Sequence, residues 1–151
     1  MQTITTKNSK ETENLGFLVA QEVLNENSFK KASLITLEGE LGAGKTTFLK
    51  GFARGMGLKK NIQSPTFIIM NKYLLKSKKF KKFFHFDCYR IENEKEMNVL
   101  DFENILNDKE NLVCIEWASK IKKILPKERC DIIFTVKKED KRTIKIKKYE
   151  R

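Results

Sequence analysis

Residues 39–46 read G-E-L-G-A-G-K-T, which satisfies the spacing G-x-x-x-x-G-K-[ST]. Each residue type has a task at its position. Gly39, Gly42 and Gly44, with the intervening Glu40, Leu41 and Ala43, can turn backbone N–H groups toward one point without a side chain in the way. A helix starting at Lys45, Thr46 and Thr47 adds the partial positive charge of its N-terminus. Lys45 can reach the β- and γ-phosphates, and the Thr46 hydroxyl can ligate Mg²⁺. The expected ligand is therefore ATP or ADP with Mg²⁺. A guanine reader N-K-x-D is absent, since Asn71-Lys72-Tyr73-Leu74 begins correctly and lacks the acid.

Such a loop needs a carboxylate at the end of a neighbouring strand to hold the metal or orient the attacking water. Two acids end apolar runs. Glu116 follows Leu112-Val113-Cys114-Ile115, and Asp87 follows Phe83-Phe84-His85-Phe86. Glu116 reads as the metal-side acid of the second strand, and Asp87 as a group that either supports the metal's ligands or orients the water. Ser64-Pro65-Thr66 falls where nucleotide switches sense the γ-phosphate through a hydroxyl, or it is a turn that starts a strand. Trp117, the one tryptophan, fills the core or touches nucleotide or partner. His85, the one histidine, reads as structural rather than catalytic. Arg90 could neutralise phosphate or pair with an acid.

These residues need a frame. Ser33 to Glu38 reads as a buried strand leading into the loop, and Thr46 to Arg54 as a helix with Phe48, Leu49 and Phe52 inward, ended by Gly55 and Gly57. Ser9 can cap an earlier helix with Glu11 and Glu13 in its first turn and Leu15, Leu18, Val19 and Val23 at helical spacing. Thr66 to Leu75 and Phe80 to Tyr89 form a hairpin around a lysine-rich turn, expected to be a solvated tip. Asn93 with Glu96 makes a capping-box start. Leu112 to Glu116 is a buried strand, and Cys130 to Val136 with Thr143 to Lys148 a terminal pair. Strands separated by helices indicate an α/β layered fold with a mixed sheet.

The 151 residues suit a single domain over 1–151. The N-terminal segment is polar, unlike a signal peptide, and no apolar run approaches about 18 residues; the expected location is cytoplasmic. Cys88, Cys114 and Cys130 form no C-x-x-C pair and read as small packing residues. The net charge of +11 could address an anionic partner. Lys outnumbers Arg 26 to 5, a bias that an AT-rich genome alone would also produce, whereas a dedicated nucleic-acid face more often uses Arg.

Four blocks occur in order: GELGAGKTTF, SPTF, HFDCYR and IEW. Together they resemble the TsaE family, small bacterial ATPases that support threonylcarbamoyladenosine modification of tRNA, from about Ser9 to Ile146. The resemblance implies a P-loop NTPase fold of three layers around a mixed sheet, mostly parallel with antiparallel hairpin additions. It implies weak Mg²⁺-dependent ATP hydrolysis, stimulated in a complex with the TsaD and TsaB proteins, with tRNA reached through that complex. Carried over by motif, Lys45 and Thr46 serve phosphate and metal, and Glu116 the metal. Thr66 and Asp87 lie on the switch and hydrolysis side, Trp117 beside nucleotide or partner, and Arg142 near the nucleotide. The family often has proline after I-E-W, where this chain has Ala118. The rival reading is a small-molecule P-loop kinase, disfavoured because no arginine-rich lid sequence follows the core. A basic RNA-binding module with a vestigial nucleotide site would need aromatics interleaved with lysines, for which only Phe80, Phe83 and Phe84 stand near.

Overall fold

The computed structural model describes residues 1–27, 30–63, 65 and 69–149. The expectations for Ser64, for Thr66 and for a strand starting at Thr66 fall outside these residues. Among the described residues, seven strands form one sheet: β1 (Gln2–Thr6), β2 (Ser33–Glu38), β3 (Met70–Leu74), β4 (Lys82–Asp87), β5 (Asn111–Glu116), β6 (Cys130–Val136) and β7 (Arg142–Lys148). Their spatial order is β1-β7-β6-β2-β5-β4-β3. The central strands β6, β2, β5 and β4 run parallel, and β3, β7 and β1 are added antiparallel at the two sides. The mixed sheet flanked by helices is the expected α/β architecture.

The parallel centre is buried on both faces, so its strands read as continuous apolar runs. One face packs α1 (Ser9–Asn25) and α2 (Lys45–Gly55) over Ile35, Leu37, Phe83, Leu112, Ile132 and Ile144. Phe48, Leu49 and Phe52 of α2 are fully buried there, as their spacing requires. The opposite face carries α3 (Phe102–Asn107) and two 3-10 segments, Glu94–Leu100 and Ala118–Ile124, over Phe84, Phe86, Val113 and Ile115.

Backbone contact between α1 and α2 depends on glycine. A Cβ on Gly51 would fall 1.7 Å from the Glu13 carbonyl oxygen, and one on Gly16 would fall 2.0 Å from that of Phe48. This proximity seats α2, and with it the preceding loop, firmly on the sheet.

Several local expectations change. The cap of α1 is Asn8 rather than Ser9: Asn8 Oδ1 accepts from Glu11 N at 2.9 Å, and Glu11 Oε2 accepts from Lys7 N at 2.7 Å. Leu18 is 63% exposed, because Val19 and Ala20 supply the buried stripe. The Asn93–Glu96 capping box forms, yet it opens a 3-10 segment. In the lysine-rich turn, Lys79 is no solvated tip residue. Its Nζ donates to Val23 O (2.6 Å) and Glu26 O (2.7 Å) and so caps the C-terminus of α1. Among the described residues no helix is long and apolar enough to cross a membrane.

Candidate functional site

Parallel strands aim their C-terminal ends at one rim of the sheet, and three adjacent ones end in acids. Glu38 closes β2, Glu116 closes β5 and Asp87 closes β4, with Asp87 paired across the ladder to Glu116. Beyond this rim lies a cleft of about 510 Å³. It gathers Leu41 to Thr47 of the glycine loop with Asp87, Glu116, Trp117 and Arg142. Lys7 to Ser9, Thr12, Glu139 and Asp140 complete its lining.

The loop adopts the conformation its glycines permit. Gly42 has φ +76° and Gly44, the residue before α2, has φ +103°. At Gly39 the constraint is also contact, since a Cβ would fall 2.7 Å from Phe134 O. Gly39 and Glu40 do not line the cleft. Their carbonyls instead accept from Lys45 Nζ, that of Glu40 at 2.9 Å. Lys45 is 5% exposed, and its ammonium lies 4.5 Å from the centre of the Trp117 ring. Burial holds its pKa below the usual lysine range, opposed by the negative charges of Glu116, Glu38 and Asp87.

Trp117 is placed by its backbone. It takes a left-handed conformation (φ 58°) immediately after β5, and its N–H donates to Leu37 O at 3.1 Å. Its ring meets Tyr89 at 5.0 Å. Arg142 opens β7 and reaches the loop: Nη2 donates to Gly42 O at 3.3 Å and Nη1 to Asp140 O at 2.6 Å. Arg90 is exposed and outside the cleft lining.

The acids differ in environment. Glu116 is buried, and its Oε2 lies 2.8 Å from His85 Nε2. Among the described residues His85 Nδ1 has no hydrogen-bond partner. A buried acceptor without a partner is tolerated better than a buried N–H without one, so Nε2 carries the hydrogen and donates to Glu116. Asp87 is half-buried and accepts from Tyr89 N at 3.0 Å. Burial raises its pKa above the usual carboxylate range; the Tyr89 N–H pulls it back, and the Glu116 charge adds to the rise. Glu38 accepts from Ser119 N at 2.5 Å.

The donor set is oxygen-rich and hard: a threonine hydroxyl and strand-end carboxylates. Among the described residues no group of three His, Cys, Asp or Glu side chains is arranged to hold a metal ion. A hydroxyl and a carboxylate suit Mg²⁺, which keeps several waters and takes one or two protein ligands beside phosphate oxygens. The glycine-lined loop ahead of α2 suits the phosphates themselves. The three cysteines are free, and burial raises the thiols of Cys88 and Cys130 to about 12, which keeps them inert.

Sequence reasoning found the loop, both strand-end acids, Trp117 and Arg142, and the structure brings these together. Thr66 lies outside the described residues. Sequence reasoning missed Glu38, whose signal was its position at the end of β2 directly before Gly39. It also missed Lys7 to Ser9, Thr12 and the Glu139–Asp140 turn, which carry no motif and reach the cleft only through the tertiary fold.

Comparison with known proteins gives a consistent answer. Residues 6–144 match the family described as "Threonylcarbamoyl adenosine biosynthesis protein TsaE". The tRNA threonylcarbamoyladenosine biosynthesis protein TsaE of Bacillus subtilis is 40% identical over 117 residues, 76% of this chain and 69% of that protein. The protein of the same name from Rickettsia prowazekii is 37% identical over 149 residues, covering 98% and 94%. The crystal structure of Bacillus subtilis YdiB superposes with a TM-score of 0.73 at 32% identity, covering 95% of this chain and 82% of that one. This chain belongs to the TsaE family.

Proposed function

We propose that the chain, as one domain over residues 1–151, binds ATP with Mg²⁺ and hydrolyses it slowly to ADP and phosphate. It does so as an accessory protein of a TsaD–TsaB complex that makes threonylcarbamoyladenosine in tRNA. The observation that carries this reading is the single cleft that joins the glycine loop to Asp87, Glu116, Trp117 and Arg142.

In this reading the N–H groups of residues 42–47 bind phosphate oxygens. Lys45 gives up its loop carbonyls and places its ammonium against the terminal phosphates, where charge builds in the transition state. The Thr46 hydroxyl and Glu116 would hold Mg²⁺, which when bound would supply charge neutralisation at the phosphoryl oxygens. Asp87 faces the same space and orients the attacking water, while Arg142 lies against the nucleotide. Thr66 belongs to the segment that senses the γ-phosphate. His85 keeps the Glu116 carboxylate aimed along its strand.

The test is ATP turnover by the purified chain, alone and with the TsaB and TsaD proteins of its own organism, with Lys45→Ala as control. Slow hydrolysis alone, a clear rise with both partners and none in the variant is the expected pattern. Unchanged turnover in Lys45→Ala would remove the mechanism, and no stimulation by the partners would remove the tRNA-modification role.

A further inference from the structure

The positive charge of this chain is unevenly distributed. Residues 1–117 hold eighteen Lys and Arg against fifteen Asp and Glu, whereas residues 118–148 hold twelve against four. A genome-wide lysine bias would spread its excess along the chain. Here the excess lies on the 3-10 segment Ala118–Ile124, on β7 and on the connections that flank β6, while β6 itself has Asp131 and no Lys or Arg.

The fold leaves part of that region bare. Ile132 and Phe134 of β6 and Ile144 and Ile146 of β7 turn toward α1 and α2 and are buried. Their alternates face the other way, where β7 pairs Thr143 with Thr135, Lys145 with Ile133 and Lys147 with Asp131. Thr3 and Thr5 of β1 continue the same rows. The buried apolar cluster on that side draws its strand residues from β2, β4 and β5, so among the described residues β6, β7 and β1 present an uncovered sheet face. Thr3, Thr5, Thr135, Lys145 and Lys147 are exposed on it. Lys120, Lys122 and Lys123 are exposed on the 3-10 segment that packs over β2, the strand next to β6.

Acids stand at two edges of this region: Lys123 Nζ lies 3.8 Å from Glu94 Oε1, and Glu38 of β2 pairs with Ile133 in the ladder. Asp131, the one acid within strands β1, β6 and β7, is half-buried and paired with Arg129 at 2.7 Å. Lys148 points to the other side, where it pairs with Glu22 and Glu26, and does not belong to the face.

We propose that this face, bordered by the 3-10 lysines, is a docking surface for the phosphate backbone of RNA. The chemistry favours RNA over an acidic protein. A protein interface has an apolar and aromatic centre, whereas this face carries threonines and lysines around Ile133. Lysines are mobile point charges that suit phosphates read without sequence, where arginine forks would read bases. The inference goes beyond the ATPase reading and does not depend on it.

The experiment uses a fluorescein-labelled, unmodified tRNA transcript and anisotropy titrations of the full chain from about 50 to about 300 mM KCl. One triple variant is Lys122→Glu, Lys145→Glu, Lys147→Glu. Its control carries the same charge change on the lysine-rich turn at the opposite side of the sheet: Lys76→Glu, Lys78→Glu, Lys81→Glu. Thermal melting and ATP turnover establish that both remain folded. The face variant should lose about tenfold or more in affinity at low salt, with a salt slope shallower by about 2, while the control keeps most of both. Absence of tRNA binding by the unsubstituted chain would overturn the proposal, as would equal loss in the two variants. Unchanged tRNA binding with lost capture of TsaB and TsaD would also overturn it and make the face a protein-docking surface.

Discussion

His85 Nε2 stands 2.8 Å from Glu116 Oε2, and neither side chain is more than 3% exposed. The pair joins neighbouring parallel strands directly beneath the cleft, where β4 and β5 run in register. A buried carboxylate gains from a donor that water cannot supply. Removing that donor costs about 1–3 kcal/mol. His85→Leu should therefore lower unfolding stability by that amount in urea and also reduce ATP turnover through a displaced Glu116. His85→Gln keeps an N–H donor on a similar stem and should recover much of both. Equal losses in the two variants would show that the imidazole only fills space.

Legibility in the sequence followed how local each determinant is. The glycine loop was readable because its spacing is its chemistry, and Asp87 and Glu116 because each terminates an apolar run. The β3–β4 hairpin was marked by its polar turn. In contrast, β1 has Ile4 as its one apolar side chain, and its place is set by pairing with Ile144 of β7. Asn8 and Ser9 are equally able to cap, and the choice rests on the contact with Glu11. Lys79 looked like its neighbours until the end of α1 came within reach. The Glu139–Asp140 turn has positive φ at both residues, as a tight hairpin turn requires, yet its position over the cleft is purely tertiary.

The glycine contact between α1 and α2 predicts a stability effect that reaches the site. Gly51→Ala would place a methyl group on the Glu13 carbonyl and force the helices apart. Helix propensity alone would favour the change by up to about 1 kcal/mol, whereas overpacking costs about 1–3 kcal/mol. The backbone clash cannot be relieved by a rotamer, so the net effect should be destabilising by about 2 kcal/mol in urea unfolding. Because α2 begins at Lys45, nucleotide affinity should fall with it. A more stable Gly51→Ala protein would contradict this packing.

Asp87 predicts a pH dependence with a definite sign. Its pKa is raised in the folded chain, chiefly by burial. The folded state therefore holds the proton more tightly than the unfolded state, and the associated stability is fully present below the usual carboxylate range. It is lost as pH rises through the raised value. At neutral pH the ionised Asp87 opposes folding, and Asp87→Asn should stabilise the protein while abolishing most turnover. Solvent screening at a half-buried position limits the gain to about 0.5 kcal/mol. Thermal melts from about pH 3 to about pH 8 should show the advantage at neutral pH and its disappearance in acid. An advantage that is constant with pH would assign it to something other than the charge.

Trp117 and Lys45 offer an optical readout of the cleft. The Lys45 ammonium lies 4.5 Å from the indole centre while hydrogen-bonded to the loop carbonyls of Gly39 and Glu40. A cation over an indole face contributes about 0.5–2 kcal/mol, small enough for a phosphate to displace. In the proposed mechanism nucleotide draws the ammonium off the ring, and the chain has a single tryptophan, so emission reports one event. Titration with ADP and Mg²⁺ should give a saturable fluorescence change in the unsubstituted chain. Lys45→Met should weaken binding about tenfold or more, and its emission should already differ before nucleotide is added. Emission that is unchanged by nucleotide, when calorimetry shows binding, would mean that Lys45 keeps its contact with Trp117 and meets phosphate from where it stands.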